Sequence, residues 1–366
     1  MANLNIRKPR FYIDRLNYLL TRGVAPTYAL NVEATNSGAN IVGLKDTSDL
    51  PELIDMRPLN QVEFNTKADA ITRQDVVIPS FNFGFGSYKT NFIAILNHNM
   101  KSAEANFKMA YDTSTQAHVQ AVNFPNAKRV VPTQVFNGVV SEDLTYNDSD
   151  GQSYRLVTPS ADGSTIMTFS EIDSAYWGLQ FRGVTDSGGT GTGDYFDNEH
   201  DLKIGCIIIG EYYDMPHSPD LSVKRSIEFD KQNIQESLGG QRFSNMTSYG
   251  KSLLSTTNFS PFQTYTGNNK RGLYGGRMTY DMKFSYLNSS DVMPSTYDIQ
   301  TQADDTVVSD IWNYTHGSHI PFIFTQDGTS TDESDYLFAR FGQNSLDMTQ
   351  VAPDVFNVAM RIEEEF

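Results

Sequence analysis

Through much of this chain apolar and polar residues alternate with a period of two, the spacing that puts successive side chains on opposite faces of a strand. The pattern is clearest from Glu104 to Tyr111, whose even and odd positions separate into polar and apolar sets and predict a strand with one wet face. Tyr176 to Val184, Ser222 to Phe229 and Met278 to Tyr286 alternate in the same way. The continuous apolar run Phe92 to Leu96 predicts a strand buried on both faces, and Ile204 to Ile209 is the most apolar segment of the chain. Shorter strands are expected at Val76 to Ile78, near Val130 and Val139, at Ile320 to Phe324 and at Val355 to Ile362. Arg10 to Asp14 follows Pro9 and reads as a strand, although Leu16, Leu19 and Leu20 would also fit one helical turn. Only residues 306 to 314 hold a helical pattern, with Val307, Val308, Ile311 and Tyr314 on one face and Gly317 placed to cap the end.

Turn residues divide these strands. Pro51, Pro58 and Pro79 punctuate the early runs, Asn147 to Gly151 forms a turn, and Ser187 to Gly193 reads as a flexible exposed loop. Gly239-Gly240 and Gly275-Gly276 are hairpin or bulge signals, and Pro216 to Pro219 breaks the pattern altogether. The expected organisation is an N-terminal arm over 1–45, an antiparallel β-sandwich over 46–216 and a smaller β-barrel or β-sandwich domain with one short helix over 217–366. Neither a repeat of 20 to 50 residues nor a heptad pattern is present, which argues against solenoids and coiled-coil fibres.

Composition sharpens this mainly β reading. The 19 Tyr, 23 Phe and 26 Gly suit pleated, half-buried surfaces joined by tight turns. A formal net charge of -16, from 44 acidic and 28 basic residues, disfavours a nucleic-acid partner. The single cysteine, Cys206, allows neither an intrachain disulfide nor a thiolate zinc cluster. No window has the roughly 20 apolar residues of a membrane span, and residues 1–25 lack the apolar region of a signal peptide, so a cytosolically made, soluble protein is expected.

Candidate chemistry is sparse. His98 follows a buried strand between Asn97 and Asn99 and could act as a base or ligand, or simply lock the strand end by hydrogen bonding. Asp194, Asp197, Glu199 and Asp201, with His200, offer oxygen ligands of the kind calcium takes, without EF-hand spacing; a solvated acidic loop is the alternative. His316 and His319 would need further ligands to hold zinc. Trp177, Tyr212 and Tyr213 lie near strand ends where sugar rings could stack, or they belong to the core. A carbohydrate-active enzyme, using carboxylates such as Glu171 and Asp173 as an acid and base pair, is the alternative of another class. Nucleophile-elbow, zinc-protease and P-loop motifs are absent. No catalytic residue, cofactor or metal is expected.

Four segments carry a resemblance. Phe92 to Ala103, an aliphatic strand followed by His-Asn and small polar residues, resembles a segment of galactose-binding-like jelly-roll domains in tailed-phage tail proteins. Ala175 to Phe181 resembles a later strand of that module, and Ile204 to Tyr212 its closing strand. Val351 to Glu364 is similar to the terminal strand of minor or distal tail proteins. The resemblance implies a non-enzymatic virion protein of the tail or baseplate, made in the host cytoplasm and assembling as a homo-oligomeric ring with other tail proteins. Contact with a host-surface saccharide through the jelly roll is a further implication. Lys224, Arg225, Glu228, Asp230 and Lys231 are the candidate interface residues, since mixed charges can set register between subunits. A capsid decoration or head-fibre protein is the structural alternative.

Overall fold

The computed structural model describes residues 7–23, 30–31, 40–41, 45–66, 75–77, 80–82, 88–121, 123–186, 194–197, 199–228, 233–245, 277–295, 305–331 and 335–365. Their contacts divide the chain into two compact units, one of Tyr12–Tyr212 with Thr331–Glu333, the other of Met1–Phe11, Tyr213–Ser330 and Ser334–Phe366.

The principal strands, in chain order, are β1 (Arg10–Asp14), β2 (Tyr88–His98), β3 (Ala105–Asp112), β4 (Pro132–Phe136), β5 (Val139–Asn147), β6 (Ser153–Thr158), β7 (Gly163–Ser174), β8 (Tyr176–Gly183), β9 (Cys206–Asp214), β10 (Lys224–Glu228), β11 (Asn233–Glu236), β12 (Arg242–Asn245), β13 (Arg277–Asn288), β14 (Phe322–Thr325), β15 (Tyr336–Phe341), β16 (Met348–Ala352) and β17 (Val355–Glu364). Helical segments are few: α1 (Leu16–Thr21), α2 (Gln116–Gln120), a 3-10 stretch over Thr47–Ile54 and short turns elsewhere.

The first unit is an antiparallel β-sandwich with jelly-roll pairing. Counting from β2 to β9, the first strand pairs with the eighth, the second with the seventh, the third with the sixth and the fourth with the fifth. This nested pairing is what results when one long hairpin rolls up. β2 also pairs β7, and β6 pairs β3, which closes the strands into a β4-β7-β2-β9 sheet and a β5-β6-β3-β8 sheet. Alternate residues of both sheets fill the space between: Ile93 and Ile95, Phe107 and Met109, Met167 and Phe169, Trp177, Leu179 and Phe181, Ile207 and Ile209, every one of them buried. The continuous apolar runs are the neighbouring strands β2 and β9, buried along most of their length.

In the second unit β14-β15-β17-β13-β10 form an antiparallel sheet in that order, and β16 pairs β17. An aromatic cluster holds it together: Phe11 lies 5.6 Å from Phe322 and 5.2 Å from Phe324, and Phe341 packs 4.7 Å from Phe322 and 5.0 Å from Trp312. Arg10 grips Asp214 with two hydrogen bonds, of 2.6 and 2.9 Å. β11 and β12 make a separate hairpin around Gly240, whose φ of +81° suits the Gly-Gly turn expected there.

Several expectations need correction. The opening arm is both of its alternatives in succession, strand β1 and then α1, whose start is capped by Asp14 through the backbone amides of Leu16 and Asn17. The 306–314 helix buries the four expected side chains, but over Val307–Trp312 it is wound as a π-helix and becomes α-helical only over Asn313–Thr315. Its end is capped by two left-handed residues, His316 as well as Gly317. Helix α2 adds to what the periodicity showed. Strand β3 has no wet face, since Lys108 is 1% and Asn106 6% exposed. The loop Ser187 to Gly193 and the pair Gly275-Gly276 lie outside the described residues. Among those residues no helix is long and apolar enough to cross a membrane.

Candidate functional site

His98 ends β2 inside the protein. Its Nδ1 accepts from the Met100 backbone amide at 3.2 Å, which leaves the proton on Nε2 to be donated to Thr165 Oγ1 at 2.9 Å. Thr165 in turn donates to the Asn137 carbonyl at 3.1 Å, and Asn137 reaches the carbonyls of Ala161 and Ser164. Burial pushes the imidazole pKa down to about 3, so the ring is neutral and serves as a joint between β2 and β7. Both nitrogens are engaged, and the locking alternative describes its surroundings.

Trp177 is fully buried between Tyr111 and Phe169, 5.8 Å from each ring, and its indole donates to the Ser174 carbonyl. It offers a sugar no face. Tyr213 is 8% exposed with its hydroxyl directed at the Asp291 carbonyl, and burial raises its pKa. Tyr212 is half-buried against Tyr12. Trp177, Tyr212 and Tyr213, like the enclosed His98 also considered for ligand contact, therefore make no common platform; alternation assigned the aromatics to strands but could not say which faces were covered.

Among the acidic residues, Asp197 and Asp201 are each taken up by a partner. Asp194 lies in a short strand paired with Thr185–Asp186. Asp197 accepts from the backbone amides of Glu199 and His200 and from His200 Nδ1 at 2.7 Å; burial opposes its ionisation, but these bonds lower its pKa. Asp201 is paired with Lys45 at 2.6 Å, and Glu199 is exposed. Among the described residues no three His, Cys, Asp or Glu side chains converge as metal ligands, at this loop or around His316 and His319. Glu171 and Asp173 stand exposed on β7, with Glu171 3.2 Å from Lys89. Burial raises the Cys206 thiol far above its ordinary pKa, so it carries no nucleophilic thiolate.

The structure assembles one polar cluster that the sequence reading missed. Asn106, Lys108, Ala110 and Asp112 line the face of β3 turned away from the main core, opposite Arg182, Gln180, Gly178 and Tyr176 of β8. Lys108 Nζ sits 3.0 Å from Asp143 Oδ2 of β5 and lies 4.7 and 4.9 Å from the rings of Tyr146 and Tyr154. Arg182 approaches the same carboxylate at 3.6 Å, while Gln180 donates to Asn123 at 3.0 Å. Helix α2 and Phe124 cover this face, Tyr154 donating to the carbonyls of Phe124 and Ala127. Gly178 allows the approach, because a Cβ there would come within 2.4 Å of the Val119 carbonyl. With Lys108 and Asp143 each 1% exposed, the cluster ties β3, β5 and β8 together from within. The register of β3 against β8 was the missing signal, since it sets Lys108 opposite Gln180.

In the second unit the outer strand β10 presents Lys224, Arg225 and Glu228, with Asp230 and Lys231 beyond the described residues. Lys224 is 3.8 Å from Asp281, the Arg225 guanidinium lies 5.5 Å from the Tyr280 ring, and Glu228 meets Arg361 at 3.3 Å. Exposed pairs of this type contribute about 0–1 kcal/mol and can exchange partners cheaply. Nearby in sequence, Ile227, Ile234, Leu238 and Phe243 are all more than half exposed.

No family model and no curated protein matches the chain. Among solved structures it is similar to a pectin-binding carbohydrate-binding module, at 12% identity and a TM-score of 0.26, over 50% of this chain and 93% of that one. A likeness this distant carries no inference about what the chain binds.

Proposed function

We propose that this chain is a structural component of a bacteriophage virion, a distal tail or baseplate protein that assembles with copies of itself through its second unit. The reading rests on the four segments that resemble tail proteins. The observation that carries the assembly part is the clustering of four exposed apolar side chains, Ile227, Ile234, Leu238 and Phe243, within one short stretch from β10 to β12. Four of the side chains with chemical potential support a non-catalytic role in that they are occupied structurally: His98 in a joint, Trp177 in the core, Asp197 in a turn and Asp201 in an ion pair. Saccharide contact through Trp177 is no part of the proposal, because its ring is enclosed.

Sedimentation of the full chain, together with labelling of purified particles by an antibody against it, tests the reading. A defined multiple of the 41.0 kDa protomer and label at the tail are expected. Label on the capsid would make it a head decoration protein, and a strict monomer absent from particles would overturn the proposal.

A further inference from the structure

We propose that hairpin β11–β12 of one copy docks against the open edge of β16 in a second copy, so that subunits join head to tail by strand addition. The inference rests on the self-assembly reading and names the two surfaces involved.

The donor is a well-formed but uncovered hairpin. Its register runs from Asn233 opposite Asn245 to Glu236 opposite Arg242, and Gly240 and Ser237 close its turn with hydrogen bonds of 2.8 and 2.9 Å. Neither strand pairs with any other described strand. Two strands alone are marginal in water, and this pair leaves Ile234 57%, Leu238 112% and Phe243 55% exposed. Ile234 and Phe243 fall in neighbouring rungs of the register, so the hairpin carries an exposed apolar side chain on each face.

The acceptor is an open edge. β16 hydrogen-bonds to β17 and to no other described strand, and all five of its residues are exposed. Met348-Thr349-Gln350-Val351-Ala352 contains no charge and no proline, two of the devices that stop an edge strand from pairing with another chain, and its register is regular from Met348 to Gln350 before shifting ahead of Ala352. Electrostatics leaves this match between copies unopposed. Two protomers of net charge -16 repel, yet β16 is neutral and the hairpin's charges cancel, Glu236 facing Arg242 at 3.4 Å. Donor and acceptor are different surfaces, so the contact is heterologous and propagates into a ring or filament.

Sedimentation of the full chain and two sets of exposed-site variants tests this. Ile234→Lys with Phe243→Lys disables the hairpin, and Val351→Lys, with Thr349→Lys as an independent second version, guards the edge. Circular dichroism and thermal unfolding should match the unmodified protein. Each variant is expected to weaken assembly by at least about tenfold, while an equal mixture of hairpin and edge variants, which retains one working hairpin and one working edge, should form dimers and nothing larger. If the unmodified chain assembles and either variant assembles equally well, or the mixture stays monomeric, the docking mode is wrong while self-assembly stands. A chain that is monomeric at every concentration overturns both.

Discussion

At the scale of single residues, this protein uses reactive side chains as fasteners. The imidazole of His98 has its pKa lowered to about 3, against an ordinary value near 6.5. Below pH about 6.5 the unfolded chain takes up a proton that the folded one refuses, so the contribution of this residue to stability is complete above that pH and falls as the pH drops toward 3, by up to about 1.4 kcal/mol per pH unit. Denaturant titrations at pH 7 and pH 5 should show a loss in the unmodified protein that is smaller in His98→Gln. An equal loss in both would remove His98 as the cause. Asp112 has the opposite kind of environment: burial opposes its charge, but bonds from Ser114, His118 and Thr115 bring its pKa to about 2, so its contribution persists to lower pH and is lost only between about 4 and 2. Trp177→Ala should cost about 3–5 kcal/mol through the cavity it leaves, measured by the same titration. A near-neutral result would contradict the packing against Tyr111 and Phe169.

At the scale of elements, burial departs from local pattern where a second layer arrives. The alternation in β3 separates its two faces correctly, but the polar one is roofed by α2 and the β5–β6 hairpin, so Lys108 needs Asp143 as a partner. Asp143→Ala should therefore cost about 3–5 kcal/mol by leaving a buried ammonium uncompensated, whereas replacing both residues with apolar ones of similar volume should restore much of that. If the single and double variants are equally unstable, the pair does not act as a unit. Gly178→Ala tests the roof directly: a Cβ within 2.4 Å of a backbone carbonyl cannot be absorbed by a side-chain rotation, so α2 must lift and the amides beneath it should exchange faster with solvent. Strands β6 and β7 were missed by sequence reading because Ser153–Thr158 and Gly163–Ser174 mix Ser, Thr and Asp with their apolar residues, and only their pairing with β3 and β2 marks them as internal.

At the scale of the whole molecule, the net charge of -16 opposes association, and salt shows which contact overcomes it. An apolar strand-to-edge contact should strengthen as salt screens the repulsion between copies, whereas an interface registered by Lys224, Arg225 and Glu228 should weaken. Sedimentation between low and high salt separates the two by the sign of the change. What the sequence determined by itself was the mainly β class, the buried strand Phe92 to Leu96 and the Gly-Gly hairpin, all of which follow from side-chain spacing and backbone preference along a few neighbouring residues. The tertiary structure alone decided the nested pairing of eight strands, the closed environment of His98 and Trp177, and the joining of Lys108 to Asp143 across 35 positions of sequence. Spacing states which residues share a face; what covers that face depends on segments brought in by folding, and a charged or aromatic side chain has a different role in water than beneath a second layer.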